Sequence, residues 1–185
     1  MSKQKDILVT GCCGGMGSAI CKKLIEQNYR VFGIDKSITT ENSENFFQFE
    51  CDVTSSESVK NVFNKIKEKT TSLFGIVHTS GIYDLDSLIE IDENRFNKIF
   101  QVNLFGAYRI NKEFFSLLQN DSRIVITTSE LAPLDPLPFT GLYGITKTAL
   151  EKYAFSLRME LQLLGIKVVV IRPGAVKTSL LNAST

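Results

Sequence analysis

The chain has 185 residues, 43% hydrophobic and 22% charged, too apolar for a disordered segment and close to the globular average. Its formal net charge of +1, with lysines scattered between acids, predicts no attraction to nucleic acid or to a membrane surface. A single domain over residues 1–185 is expected, since a chain of this length buries about 70% of its unfolded surface without staples.

The opening MSKQKDILVT enters a strand-like run with no apolar signal segment, and nowhere do 18 consecutive apolar residues occur. A cytoplasmic protein is expected. Ile7-Leu8-Val9 predicts the first strand, stopped by Thr10-Gly11, and the glycine turn that follows leads into a helical pattern at Ile20, Leu24 and Ile25. Val31 to Ile34 predicts strand two, ending at Asp35, and Phe46 to Phe49 predicts strand three, ending at Cys51-Asp52. Val59, Val62, Phe63 and Ile66 recur at helical spacing behind a Thr/Ser-rich start suited to capping. Leu73 to Val77 is the fourth strand.

A long helical segment is expected from Asp92 to Gln119, interrupted by the poor helix formers Asn103 and Gly106. Arg123 to Thr127 predicts strand five. A loop with Pro133, Pro136 and Pro138 leads into a second long helix over 142–164, which stops at Gly165, and Ile166 to Ile171 predicts strand six. Strands alternating with amphipathic helices imply βαβ units, hence an α/β, three-layer, doubly wound parallel sheet in the order 3-2-1-4-5-6. In such a sheet the site lies beyond the carboxyl ends of the strands, where Gly11, Asp35, Asp52, Gly81, Ser129 and Arg172-Pro173-Gly174 all fall.

Cys12, Cys13, Cys21 and Cys51 form no Cys-x-x-Cys pair and have no histidine at zinc-site spacing, so free thiols and no metal are expected. Thr10-Gly11-Cys12-Cys13-Gly14-Gly15-Met16-Gly17 stands where a strand meets its helix, the context in which backbone approaches a pyrophosphate. Asp35, about 20 residues on, is placed to accept from a ribose 2′-hydroxyl. The two together point to a dinucleotide. Tyr143 and Lys147 stand four residues apart in a helical pattern, on one face, where an ammonium favours the phenolate and lowers the tyrosine pKa. In isolation such a pair also describes a boundary tyrosine with a solvated lysine.

The ordered set of residues resembles the short-chain dehydrogenase/reductase family over nearly the whole chain. Its Thr-Gly-x-x-x-Gly-x-Gly signature is matched by Thr10, Gly11, Gly15 and Gly17, with Cys13 and Met16 inside the same turn. Asp52-Val53 match the adenine-facing acid and its neighbour, and Gly81 the glycine after strand four. Asn103, Ser129, Tyr143 and Lys147 match the catalytic set, and Pro173, Gly174, Val176 and Thr178 the segment facing the nicotinamide carboxamide. The family's Asn-Asn-Ala-Gly reads His78-Thr79-Ser80-Gly81, which gives the single histidine a structural reading. Ser129 precedes Tyr143 by one residue more than the family pattern, so Thr128 is the alternative hydroxyl.

The resemblance implies a Rossmann fold and hydride transfer between a nicotinamide and a small-molecule secondary alcohol or ketone, with Tyr143 as general acid/base. Ser129 would hold the substrate oxygen. Lys147 would lower the tyrosine pKa and bind the nicotinamide ribose, and Asn103 would bend its helix to free a carbonyl for a relay water. NAD is the expected cofactor, with NADP possible, because Asp35 would repel a 2′-phosphate and Lys36 would soften that repulsion. The alternatives are a non-catalytic dinucleotide sensor or scaffold, and an epimerase or dehydratase with the same Tyr and Lys. Leu131, Ala132, Pro133 and Leu134 suggest an apolar wall.

A homo-oligomer, dimer or tetramer, is implied through the helices around 92–119 and 142–164. The family continues into a substrate lid and a seventh strand where this sequence stops after Leu180 and Leu181 at Thr185, so a truncated chain, or a fragment completed by a partner, is expected, with strand six as an open edge and poor turnover.

Overall fold

Every residue of strand β1 (Asp6–Thr10) is buried, as a central strand covered on both faces requires. The computed structural model describes residues 4–38, 43–135 and 137–176. Around β1 lie β2 (Arg30–Asp35), β3 (Phe46–Glu50), β4 (Leu73–His78), β5 (Leu118–Thr127) and β6 (Lys167–Ile171). All pairs are parallel and the order is 3-2-1-4-5-6, as the pattern predicts.

Alternation along the strands sends successive side chains to opposite faces. Leu8, Phe32, Ile34 and Ile76 pack on helices α2 (Ser56–Lys67) and α4 (Gly106–Phe114) through Val59, Ile66, Ile110 and Phe114. Further along the same face, Ile124, Ile126 and Val168 meet Leu150, Ala154 and Leu161 of α5 (Gly141–Leu161). Ile7, Val9 and Val31 point the other way, to Cys21 and Leu24 of α1 (Gly15–Glu26). Each large side chain so buried contributes about 1.5–3 kcal/mol. Ser55 caps α2 by accepting from Ser58 N, and Gly165, at φ 70°, ends the turn after α5 as the C′ glycine.

The segment 92–119 differs from one interrupted helix. It is α3 (Glu93–Phe100), a π turn (Gln101–Phe105), α4 and a 3₁₀ turn (Phe115–Leu117). A Cβ at Gly106 would stand 2.9 Å from Val53 Cγ2, so this glycine allows close approach as well as interruption. The helix ends at Leu117 and β5 begins at Leu118, earlier than the Arg123 expected. Asp121 at φ 68° and a register shift between Leu73 and Gly75 absorb the irregular start, which Ser122 pins by donating to Leu73 O at 2.8 Å.

Among the described residues β6 is an edge strand. Val169 and Ile171 are 42% and 45% exposed, whereas Val168 is 4% exposed beneath α5, so the two faces of this strand are covered unequally. Leu180 and Leu181 lie outside the described residues. No helix of the described chain is long and apolar enough to cross a membrane.

Candidate active site

Beyond the carboxyl ends of β1, β2 and β4, a cleft of about 600 Å³ is lined by Gly11, Cys13, Gly15, Met16, Gly17, Asp35, Asp52, Val53 and Gly81. The turn after β1 can take no side chains at its key points. A Cβ at Gly11, whose φ is +70°, would stand 2.8 Å from Ser80 N, and one at Gly17 would stand 2.0 Å from Gly11 O. Gly14, the N-cap of α1, offers no side-chain cap, and the first turn carries no acid, so its amides are open to an anion. Thr10 ties this turn to the β4 end: its carbonyl accepts from Thr79 Oγ1 at 2.6 Å and its hydroxyl accepts from Ser80 N at 3.3 Å.

Two acids mark the far wall. Asp35 Oδ2 accepts from Cys13 N at 2.9 Å and Oδ1 from Lys36 N at 2.7 Å, which fixes the carboxylate against the glycine turn. Asp52 Oδ1 accepts from Thr54 Oγ1 at 2.7 Å and from Thr54 N at 2.9 Å, while Lys36 Nζ lies 3.4 Å from its Oδ2. The Thr54 bonds, then Lys36, hold the Asp52 carboxyl below its ordinary value.

The cleft continues into a cavity of about 140 Å³ where Met16, Gly81, Ser129, Tyr143, Lys147, Pro173, Gly174 and Val176 meet. Tyr143 and Lys147 stand one turn apart on α5 and are 8% and 5% exposed. The Ser129 hydroxyl beside the Tyr143 phenol pulls its pKa down, yet burial is the larger effect and leaves the phenol above its ordinary value. Thr128 turns away: its hydroxyl donates to Glu151 Oε2 and to Ile171 O, both at 3.2 Å. Ser129, which lines the cavity with Tyr143, is the hydroxyl beside the phenol.

The Lys147 ammonium donates to Thr127 O at 3.1 Å and lies 5.6 Å from the Tyr143 ring centre. Burial pulls the ammonium itself down to about 8. A Cβ on Gly81 would stand 3.5 Å from Nζ, in ordinary van der Waals contact with it.

Asn103, buried in the π turn, stands behind the cavity. Its Oδ1 accepts from Ile82 N at 2.8 Å, and its Nδ2 donates to Ile82 O at 3.0 Å and to Thr146 Oγ1 at 3.1 Å. Thr146 is a residue the sequence reading missed, as a threonine inside Tyr-x-x-x-Lys carries no signal of its own. Tyr83, also missed, meets Tyr143 edge to face at 4.7 Å between ring centres. Glu151 accepts from Arg172 Nε at 2.8 Å and pairs with its Nη2, anchoring the end of β6 to α5. His78, buried, lies 2.8 Å from Asn111 Oδ1 through Nε2, and Asn111 Nδ2 donates to Tyr153 Oη at 3.0 Å, which fits the structural reading.

Of the expected apolar wall, Leu131 lines the cavity, whereas Ala132 is buried in the loop and Leu134 is 58% exposed. Thr178 and Pro136 lie outside the described residues.

A family model described as short chain dehydrogenase matches residues 5–185. Among curated relatives, estradiol 17-beta-dehydrogenase 2 of Mus musculus is 32% identical over 96% of this chain and 49% of its own length. The NADPH-dependent 1-acyldihydroxyacetone phosphate reductase of Schizosaccharomyces pombe is 28% identical over 97% of this chain and 62% of its own. The chain thus spans about half to three-fifths of these relatives. Among solved structures, a short chain dehydrogenase family protein of Francisella tularensis superposes with a TM-score of 0.89 at 28% identity, covering 96% of this chain and 72% of that one.

Proposed function

The chain belongs to the short chain dehydrogenase family, and from that premise we propose that it is a nicotinamide-dinucleotide oxidoreductase acting on a secondary alcohol or ketone. The observation that carries the proposal is the meeting of Ser129, Tyr143 and Lys147 in one cavity continuous with the glycine-turn cleft.

The cleft suits a dinucleotide because Gly11 and Gly17 stand where a Cβ would collide with backbone, and because the amides of the first α1 turn lack partners from a cap. Gly11, Cys13, Gly15, Met16 and Gly17 would hold the pyrophosphate, Asp35 a ribose hydroxyl, and Asp52 and Val53 the adenine. Gly81, Pro173, Gly174 and Val176 would border the nicotinamide. When bound, this group supplies the hydride donor or acceptor and, oxidised, a positive charge.

Tyr143 gives its phenolic proton to a ketone oxygen, or takes the alcohol proton in reverse. Ser129 donates to the same oxygen and holds it against the phenol. Burial alone would leave the phenol protonated, and its activation as a base falls to the Lys147 ammonium, 5.6 Å from the ring centre, together with the positive charge of an oxidised nicotinamide. Lys147 would bind ribose hydroxyls while keeping its bond to Thr127 O, and the π turn at Asn103 would free a carbonyl for a relay water.

We infer NAD(H) as the preferred cofactor because the Asp35 carboxylate stands against the glycine turn, where a 2′-phosphate would meet like charge. Lys36 is engaged by Asp52. A homo-oligomer built on the helices around 92–119 and 142–164 is part of the same reading. The test is a screen of NADH and NADPH consumption over ketones and aldehydes, run beside direct binding of both dinucleotides. Turnover of a ketone supports the oxidoreductase; binding without turnover on any carbonyl compound supports a sensor instead.

A further inference from the structure

The glycine turn carries a feature that dinucleotide binding does not use. Cys12 and Cys13 are adjacent in sequence, and neighbours in an extended chain point to opposite sides. Here the turn, entered through Gly11 at φ +70°, brings both sulfurs together at 3.7 Å. Asp35 arrives at the same place from the end of β2: the two sulfurs and a carboxylate oxygen all lie within 4.8 Å of one another.

That spacing has a chemical meaning. A tetrahedral ion with metal–sulfur bonds of about 2.3 Å separates two thiolates by about 3.8 Å, close to the separation already present. The carboxylate is oriented by backbone donors, since Asp35 accepts from Cys13 N at 2.9 Å and Lys36 N at 2.7 Å, the kind of support that fixes a metal ligand. A cavity of about 400 Å³, bordered by Cys12, Cys13, Cys21 and Phe46, opens onto the cysteines and provides an entry path and room for a water ligand. A third thiol, Cys21, stands on its wall.

We propose that Cys12, Cys13 and Asp35 form a site for one thiophilic divalent cation of the zinc type, with water as fourth ligand, and that its occupation excludes the dinucleotide. On binding, each thiol exchanges its S–H bond for a sulfur–metal bond and two protons pass to solvent; nothing is oxidised or reduced. The Asp35 carboxylate, given to the ion, no longer accepts from a ribose hydroxyl. Exclusion rests on the dinucleotide reading above; cation binding itself does not. The site escapes spacing rules for zinc motifs because one ligand lies 22 residues away and the other two are adjacent.

The experiment titrates the purified, reduced protein with Co²⁺ and follows thiolate-to-cobalt charge-transfer absorption, then obtains zinc affinity by competition with a chromophoric chelator. One ion per chain is expected. Cys13→Ser at a half-exposed position, and the isosteric Asp35→Asn, should each weaken zinc by about tenfold or more, and Cys13→Ser should lose most of the band. Cys51→Ala, outside the cluster, should keep it. Zinc should raise the apparent Kd for NADH in the wild type and not in Cys13→Ser. No band in the wild type, or unchanged zinc affinity in a folded Cys13→Ser, overturns the site. Zinc bound there with NADH affinity unmoved overturns the exclusion. A protein that binds zinc but no dinucleotide leaves the site standing and refutes the cofactor reading instead.

Discussion

The side-chain amide of Asn103 donates to the Thr146 hydroxyl across 3.1 Å, and that hydroxyl donates in turn to the Tyr143 carbonyl at 2.8 Å. The π turn is thereby bonded to the helix that carries Tyr143 and Lys147, while the same amide closes both backbone groups of Ile82. Asn103→Leu would strand buried donors and acceptors, each at a cost of about 1–3 kcal/mol. A fall in Tm on the order of 5 °C is expected. Thr146→Val should cost less, and the double mutant should show a coupling energy of at least about 0.5 kcal/mol in thermal melts.

Burial holds the His78 imidazole down to about 4, against the opposing bond to Asn111. Its folded pKa thus lies below the unfolded value near 6.5, so between pH 6.5 and 4 the unfolded chain binds the extra proton. Stability is fully present above that window and is lost as pH falls through it, by on the order of 3 kcal/mol. Melting curves of the wild type and His78→Gln over this range should show the shallower dependence in the variant.

Lys147 has the same sign at higher pH. Burial lowers its ammonium to about 8 from 10.5, so stability should rise with pH between those values, where the folded chain has released a proton that the unfolded chain still holds. Its buried charge is then a cost to the fold at neutral pH. Lys147→Met should melt a few degrees higher than wild type at pH 7 while losing turnover and weakening the dinucleotide. A variant that melts lower would show that the bond to Thr127 O outweighs desolvation.

Asp35→Ser should cost NADH affinity about tenfold and leave NADPH unchanged or tighter, as the like charge is removed. Dissociation constants for both dinucleotides, measured in wild type and variant, check it. Tighter NADPH than NADH binding in the wild type would reverse the assignment.

The periodicity of apolar residues was enough to read the strand order, because each run is short and bounded by glycine, acid or cap. The glycine turn and Tyr143-Lys147 were legible for a related reason: each is a local pattern on one element. The π turn was half legible, since Asn103 and Gly106 announce an interruption without saying of which kind. The early start of β5 was hidden because Leu117 and Leu118 continue the helical spacing, and the Asp121 turn and Ser122 bond that end it are set by contacts with β4. Partners joined across elements, as Asn103 with Thr146, His78 with Asn111 and Cys13 with Asp35, leave no mark in spacing.

The central claim is that Tyr143 transfers the proton while other residues hold the dinucleotide. The most direct measurement is kcat and the NADH dissociation constant of Tyr143→Phe beside wild type, on whichever carbonyl compound the screen identifies. The account predicts a loss of about 10²–10⁴-fold in kcat, with the dissociation constant within a few fold of wild type. A folded Tyr143→Phe that keeps more than about a tenth of wild-type kcat would contradict it.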